Sequence, residues 1–301
     1  GILVKGGQIE VGESAIINNK ALVGNGGGVL ITDDPVGESY DANKVYYALK
    51  VKTTACVNNE ATSGNGGAIA LVGHTKSNAD ILFSTFNVNN APTGYGGMLY
   101  ASSTGKIQVN FTTIEFSKAL QGGAIYVSRS RLEISGTNTN RPKLSGNNAD
   151  FGGAIMIAQQ GNVLLKHVSV IQNSAQIDGG AICTREEAQV VMQYSNVEKN
   201  VARARGGAVY LDRLGTTSLT NCNVTRNMAE GDGGGLYLGF GTSGNSIDTT
   251  FEGNKANDNG GAIFVSDAPF AIDASKGANG DEYLCNFNFN SVKSGRGGAI
   301  F

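Results

Sequence analysis

The acidic residues are the first place to look for chemistry, because enzymes that cut polysaccharides depend on carboxylates. Hydrolysis of a glycosidic bond uses two carboxyl groups that face each other across the bond. Elimination uses a carboxylate cluster that holds calcium, together with a base. The candidates weighed for such a role are Asp33–Asp34, Glu186–Glu187 and the pair formed by Glu230 and Asp232.

None of these acidic groups has a pattern that favours catalysis. Asp33–Asp34 is followed by a proline, which is typical of a turn. Glu186–Glu187 follows an arginine and is typical of a solvated face. Glu230 and Asp232 flank a glycine, where we expect at most loose binding of an ion.

Histidine and cysteine do not supply a different chemistry. His74 and His167 are the only histidines, and neither has an acidic partner at a recognisable spacing. No Cys/His spacing suits a metal, and no calcium-binding nonapeptide repeat is present. We therefore expect no catalytic residue, no metal site and no cofactor, and we predict that the protein is not an enzyme.

The elements that would position any site are defined by a repeat. Gly-Gly-Ala-Ile occurs six times, and looser copies bring the total to eleven in 301 residues. From Gly152 to Gly260 the copies recur every 27 residues, which indicates a repeat architecture. The copies begin at Gly6, Gly26, Gly66, Gly96, Gly122, Gly152, Gly179, Gly206, Gly233, Gly260 and Gly297.

A second motif precedes each glycine pair by about six residues. It reads Asn-x-Ala, with an apolar residue three positions before the Asn. Asparagine tolerates the left-handed conformation, and its amide can bond to the same residue one repeat above and below. We therefore predict that Asn173, Asn200, Asn227 and Asn254 stack in line as a structural ladder.

The pattern predicts an all-β fold, a right-handed single-stranded parallel β-helix of about ten coils of about 27 residues. After each glycine pair, β-branched residues alternate with a period of two, which indicates a strand with one buried face. A unit with two or three short strands buries its apolar face only by stacking on the next unit. Residues 1–301 are interpreted as a single β-helix domain, a segment of a longer surface protein or a filament subunit.

The four cysteines do not predict disulfides. Cys222 and Cys285 occupy one column of the repeat but lie two units apart. At a strand spacing of about 4.8 Å the separation is roughly 9–10 Å, which is too long for a disulfide. We expect four free thiols.

The second residue of each post-glycine strand is expected to point outward, and it is often aromatic. We predict an exposed ladder at Tyr100, Tyr126, Tyr210, Tyr237 and Phe264. Such a ladder stacks on itself or is covered by loops, or else it forms an interface for a neighbouring chain or a glycan. Two insertions, residues 32–50 and 266–282, are expected to leave the coil on one side.

Charge and sequons restrict the partners. The net charge of −2 does not favour nucleic acid or an anionic membrane, and no apolar run reaches the length of a membrane helix. Asn110 and Asn223 begin glycosylation sequons at positions expected to face outward. The pattern favours an extracellular or cell-surface location.

The paired motifs resemble a known repeat. Gly-Gly-Ala-Ile coupled to Phe-x-x-Asn, as at Phe86-x-x-Asn89 and Phe251-x-x-Asn254, is similar to the polymorphic outer membrane protein repeat of chlamydial-type surface proteins. The resemblance spans essentially the whole chain, although other residues often replace the Phe and Ser117 replaces one Asn. It implies a β-helical autotransporter passenger that adheres and self-associates. It supplies no catalytic residues.

The sequence thus favours a non-catalytic structural or adhesive rod of an extracellular protein or filament. We expect it to self-associate end to end or laterally, because neither end shows a capping repeat. Its partners would be further copies of itself or a glycan or protein of a host or neighbouring surface. Two alternatives stay open, a β-helix polysaccharide lyase or hydrolase and a glycan-binding module.

Overall fold

The computed structural model describes residues 1–5, 7–32, 46–73, 77–276 and 282–301. Asp33–Asp34, His74 and most of the first predicted insertion lie outside the described residues. The described chain forms four parallel sheets of ten strands each and contains no helix. The four strands of one coil belong to four different sheets. Within a sheet, each strand pairs only with the equivalent strands of the neighbouring coils. This arrangement confirms the predicted parallel β-helix.

Sheet 1 follows the glycine pairs. Its first strand pairs with the second through Ile2 and Val29, and the same register continues to Leu236 and Ile263. Its strands are Ile2–Lys5, Val29–Thr32, Ile69–Val72, Leu99–Ser102, Ile125–Ser128, Ile155–Ala158, Ile182–Thr184, Val209–Leu211, Leu236–Leu238 and Ile263–Val265.

Sheet 2 follows sheet 1 within each coil, and it contains the longest strands. The strands are Ile9–Gly12, Tyr46–Lys52, Ser77–Leu82, Lys106–Asn110, Arg131–Ser135, Asn162–Lys166, Gln189–Gln193, Thr216–Thr220, Ser243–Ile247 and Phe270–Asp273. A short antiparallel pair, Ser275–Lys276 with Glu282–Tyr283, follows the last of them.

Sheets 3 and 4 are built from shorter strands. Sheet 3 consists of Ala15–Ile17, Ala55–Val57, Thr85–Asn87, Thr113–Glu115, Lys143–Ser145, Ser169–Ile171, Asn196–Glu198, Asn223–Thr225, Thr250–Glu252 and Asn286–Asn288. Sheet 4 consists of Lys20–Ala21, Glu60–Ala61, Asn90–Tyr95, Lys118–Gln121, Asn148–Phe151, Ser174–Asp178, Val201–Ala202, Met228–Ala229, Lys255–Ala256 and Ser291–Val292.

The two glycines of each pair have different physical roles. Gly152 has a φ of 63°, a left-handed conformation that turns the chain from sheet 4 into sheet 1. A Cβ on Gly153 would lie 2.2 Å from the carbonyl oxygen of Gly180 in the next coil. The first glycine therefore supplies the bend, and the second allows adjacent coils to stack at strand spacing.

Each coil contains four strands, where the sequence predicted two or three. The predicted strand over residues 161–170 is divided into Asn162–Lys166 and Ser169–Ile171. His167, between them, has a φ of 55°, which turns the chain from sheet 2 into sheet 3. The alternation of apolar residues continues through this corner, so the pattern alone did not reveal it.

The glycine copy at Gly6 was assigned incorrectly. It predicted that Ile9 begins a sheet 1 strand, but Ile9 pairs with Leu49 in sheet 2. The first sheet 1 strand begins at Ile2, which pairs with Val29. Both segments alternate in the same way, so only the register between coils distinguishes them.

The two insertions leave the coil at different corners, contrary to the prediction. The first joins Thr32 of sheet 1 to Tyr46 of sheet 2. The predicted second insertion, 266–282, includes the sheet 2 strand Phe270–Asp273, and the extra residues come after that strand. Phe270 pairs with Gly244 and packs against the core.

The core is a continuous column of aliphatic residues inside the coil. It runs without interruption from Ile16 to Ile263 and includes inward-facing residues of sheets 1, 2 and 3. Because each coil buries its apolar face against the next, the rod is stabilised by contacts between neighbours. Nine coil-to-coil steps separate the ten strands of a sheet, which gives an axial length of about 43 Å at about 4.8 Å per step.

Candidate functional site

The predicted asparagines form one buried column at the corner between sheets 3 and 4. The side-chain amide of Asn200 donates to Oδ1 of Asn227 at 3.0 Å and to the carbonyl oxygen of Val170 at 3.0 Å. Its own Oδ1 accepts from the backbone N–H of Asn173 at 2.9 Å and from that residue's side-chain amide at 3.0 Å. Each side-chain amide thus bonds to the coil before it and to the coil after it.

The column extends beyond the four predicted members. Asparagine side chains are hydrogen-bonded in sequence from Asn147 through Asn254 to Asn290 in one run. A second run, nearer the N-terminus, joins Asn19, Asn59 and Asn89. Ser117 separates the two runs, and its buried hydroxyl has no partner within the described part of the chain. The role of this column is structural, because its members are bonded to each other and, apart from the half-buried Asn19 and Asn290 at its ends, are buried.

The outward aromatic residues of sheet 1 stack along the rod. Ring centroids are 5.4 Å apart for Tyr100 and Tyr126, 5.0 Å for Tyr210 and Tyr237, and 4.9 Å for Tyr237 and Phe264. These distances are close to the spacing of adjacent strands, so the stacking follows from the coil repeat. Burial, together with the neighbouring tyrosines, raises the pKa of Tyr126 to about 12.

The aromatic ladder is partly covered, which changes its predicted role as an interface. Tyr210 is 4% exposed and belongs to a second apolar cluster with Met156, Ala158 and Cys183. Its side chain is therefore not available to a partner. Tyr100, Tyr126, Tyr237 and Phe264 are half-buried.

An ion pair covers the middle of this ladder. Arg205 donates to both carboxylate oxygens of Asp178, at 3.1 and 2.9 Å, and its guanidinium lies over the rings of Tyr210 and Tyr237. The Asp178 side chain is 3% exposed. Burial lowers the pKa of Arg205, but the hydrogen bonds and charge of Asp178 raise it more, so the guanidinium stays charged. The sequence analysis missed this pair, although Asp178 and Arg205 occupy the same position before successive glycine pairs.

Other carboxylates also connect neighbouring coils. Glu60 accepts from Lys20 at 3.0 Å and from Thr62 at 2.7 Å, and these hydrogen bonds lower its pKa. Glu115 accepts from Lys143 at 2.9 Å. Burial raises the pKa of Glu115, but the hydrogen bonds from Lys143 and Ser145 lower it more.

The acidic groups considered for catalysis lie apart on the surface. Glu186–Glu187 forms an exposed turn, in which Glu187 accepts from Gln160 of the preceding coil at 2.9 Å. Asp232 accepts from the backbone and side-chain amides of Asn259, both at 2.9 Å, while Glu230 is exposed. Within the described ranges, no three His, Cys, Asp or Glu side chains form a group that could hold a metal ion.

The remaining predicted residues have simple surroundings. His167 stacks on Tyr194 with 5.0 Å between ring centroids, and burial together with nearby cations lowers its pKa. All four cysteines are free, and burial raises the pKa of Cys56 to about 12. Asn110 accepts from Ser135 at 2.5 Å, and Asn223 is exposed and donates to Asn196.

A concave surface on sheet 2 was missed by the sequence analysis. A groove of about 620 Å³ lies on the outer face of sheet 2, across Thr216–Thr220, Ser243–Ile247 and Phe270–Asp273. Its lining includes Thr216, Ser218, Ser243, Asn245, Pro269 and Phe270. Two outward columns of sheet 2, those that contain Thr216 and Ser218, carry longer side chains in earlier coils. These are Lys106 and Arg131 in the first column, and Gln108 and Glu133 in the second. The signal in the sequence is the change from long to small polar residues in these columns.

Comparison with known proteins agrees with this architecture. A family model described as right handed beta helix region matches residues 97–276. The chain therefore belongs to the right-handed β-helix family. No curated protein and no solved structure matches the chain. No helix in the described residues is long and apolar enough to cross a membrane.

Proposed function

We propose that this protein is a non-catalytic structural or adhesive rod of an extracellular protein or filament. The observation that carries the proposal is the placement of its carboxylates. Asp178, Glu60, Glu115 and Asp232 each bind a side chain of an adjacent coil, along the rod axis. Glycoside cleavage needs carboxylates that converge across a substrate, whereas these stabilise the stacking of coils.

Adhesion and self-association form the second part of the proposal. Exposed aromatic residues, Phe83 and Phe116 among them, lie at the corners on either side of sheet 3. Both have a positive φ, which is unusual for bulky residues, and exposed apolar surface favours contact with a partner. The likeness of the glycine and asparagine motifs to chlamydial-type surface repeats supports an adhesive role outside the cell.

Two measurements test the proposal. The protein is incubated with neutral and acidic polysaccharides, and new reducing ends and unsaturated products are measured over time. We expect neither to rise above the level without protein, and substrate-dependent product formation would show an enzyme. Sedimentation across a concentration series should show association, and a single monomeric species at every concentration would contradict the self-association.

A β-helix carbohydrate-active enzyme is the main alternative. Its strongest structural argument is the groove on sheet 2, since grooves of this size commonly hold small ligands. Its lining, however, contains no acidic, basic or histidine side chain. The groove therefore favours binding over bond cleavage.

A further inference from the structure

We propose that Tyr237 and Tyr210 relay one-electron oxidation from the surface to the buried thiol of Cys183, which makes Cys183 an oxidative modification site. The three side chains occupy the outward column of sheet 1 in three successive coils. Cys183 pairs with Tyr210 in register, and Tyr210 pairs with Tyr237. This inference goes beyond the proposed function, because it concerns the redox chemistry of the rod and not its partners.

The register places the three side chains in contact. One strand spacing, about 4.8 Å, separates successive members of the column. The Tyr210 and Tyr237 rings are stacked, with 5.0 Å between their centroids. Cys183 and Tyr210 belong to one apolar cluster, against which Tyr237 packs. Because orbital overlap falls steeply with distance, electrons pass most readily between side chains in such contact.

Exposure decreases from one end of the relay to the other. Tyr237 is half-buried, Tyr210 is 4% exposed and Cys183 is 0% exposed. A dissolved oxidant therefore meets Tyr237 first, and the thiol lies two coils behind it. On the far side of Cys183 the column continues with Met156, whose thioether loses an electron less readily than a phenol or a thiol. The oxidation therefore ends at Cys183.

A cation above the two rings disfavours positive charge on them. The Arg205 guanidinium lies 4.7 Å from the centroid of the Tyr210 ring and 5.1 Å from that of Tyr237. It would repel a radical cation on either ring, although Asp178 partly compensates its charge through two hydrogen bonds. We therefore expect each tyrosine to lose a proton together with the electron and to carry a neutral radical.

The oxidation balances with a one-electron oxidant of the metal(III) type and water as co-reactants. The oxidant removes an electron from Tyr237, and the phenolic proton passes to solvent. An electron and a proton from Tyr210 restore Tyr237, and the thiol of Cys183 then restores Tyr210 and becomes a thiyl radical. A second equivalent of oxidant removes a second electron by the same route, and water adds its oxygen to the sulfur. One thiol, one water and two oxidants thus give one sulfenic acid, two protons and two reduced oxidants.

Direct oxidation by peroxide does not suit this thiol. Peroxide must contact the sulfur, and it reacts with the thiolate. Burial raises the pKa of Cys183, so its sulfur is protonated at neutral pH as well as enclosed. Electron loss through the two tyrosines requires neither a thiolate nor contact with the oxidant. The water of the last step is in great excess over any added peroxide, so a brief local opening admits water far more often.

Two other buried thiols supply controls within the same molecule. Cys56 is 0% exposed and Cys222 is 1% exposed, and both belong to the main core inside the coil. The partners of Cys56 in register are Ile16 and Phe86, which resist one-electron oxidation. Burial raises the pKa of Cys56 to about 12 and that of Cys222 to about 11. Burial and protonation are thus matched, and contact with tyrosine is the difference under test.

The test applies photogenerated tris(bipyridine)ruthenium(III) to the whole folded protein and measures oxygen added to each cysteine by peptide mass spectrometry. Cys183 should be oxidised faster than Cys56 and Cys222, by about five-fold or more. Tyr210→Phe keeps the ring and should slow oxidation of Cys183 about five-fold. Tyr194→Phe changes an exposed tyrosine outside the column and should leave the rate unchanged. Hydrogen peroxide should oxidise the exposed Met228 and leave Cys183 reduced.

Three results would contradict the relay. Equal oxidation of the three buried thiols by ruthenium(III) would overturn the inference, and this comparison requires no variant. An unchanged rate in folded Tyr210→Phe, or oxidation of Cys183 by peroxide as fast as that of Met228, would also overturn it. Each of these results would leave the non-catalytic rod intact, because the proposed function does not depend on the relay.

Discussion

Replacement of Asn200 by alanine tests whether the asparagine column holds the coils in register. The substitution removes both donors and the acceptor that connect Asn200 to Asn227, Val170 and Asn173. Oδ1 of Asn227 keeps the backbone N–H of residue 200 at 3.0 Å, so it remains partly satisfied. The backbone N–H of Asn173 loses its acceptor in a buried corner, which by itself costs about 1–3 kcal/mol.

We expect the free energy of unfolding to fall by about 2–4 kcal/mol in total, because the side-chain bonds to Asn227 and Val170 add smaller losses. The assay is urea unfolding followed by far-ultraviolet circular dichroism. The midpoint should decrease while the slope of free energy against urea is unchanged. Asn223→Ala is the control, since Asn223 is exposed, and its effect should stay within about 0.5 kcal/mol.

The natural interruption of the asparagine column allows a test in the opposite direction, a substitution expected to stabilise the protein. Ser117 occupies an asparagine position, and its hydroxyl is buried without a partner in the described structure. Ser117→Asn should join the two runs and raise the free energy of unfolding by about 1 kcal/mol. Equal losses for Asn200→Ala and Asn223→Ala, or a clear loss for Ser117→Asn, would refute the reasoning.

Three further predictions concern the corners and the thiols. Gly153→Ala should prevent normal stacking, because the added Cβ would lie 2.2 Å from a carbonyl oxygen of the next coil. Gly12→Ala is the control: the atom nearest to its added Cβ is 4.0 Å away, so this variant should unfold at an unchanged urea midpoint. Asp178→Asn should destabilise the protein by about 1–3 kcal/mol. This loss is smaller than that expected on breaking a fully buried ion pair, because the Arg205 side chain is 40% exposed and can be hydrated. A loss below about 0.5 kcal/mol in thermal unfolding would contradict this prediction. Burial raises the pKa of Cys56 to about 12 and of Cys222 to about 11, so few thiolates form at pH 8. A thiol reagent should therefore modify Cys285 first and the three buried thiols only after unfolding. Rapid modification of all four cysteines in the folded protein would disprove this prediction.

The glycine and asparagine motifs were sufficient to predict the architecture. The first glycine of each pair has a positive φ, and the second lies too close to the next coil for a Cβ. Few other residues fit either position, so both glycines recur regularly in the sequence. The asparagine column leaves a regular pattern for the same reason, since its amide accepts a hydrogen bond from the preceding coil and donates one to the next at a tight corner. These constraints act locally and recur in every coil, which is why spacing alone revealed them.

Other features depended on which coils became neighbours. The sequence did not show that Ile9 belongs to sheet 2, because the alternation is the same in either sheet and register is a property of the pairing. The Asp178–Arg205 pair required residues 27 positions apart to meet, and this pair holds the guanidinium of Arg205 over the ring of Tyr210. The groove on sheet 2 arises because three coils present small side chains side by side, and only the stacked structure brings those residues together. The sequence by itself thus determined the repeat and its corners, whereas the tertiary structure decided register, burial and the shape of the outer surface, since these depend on contacts between coils.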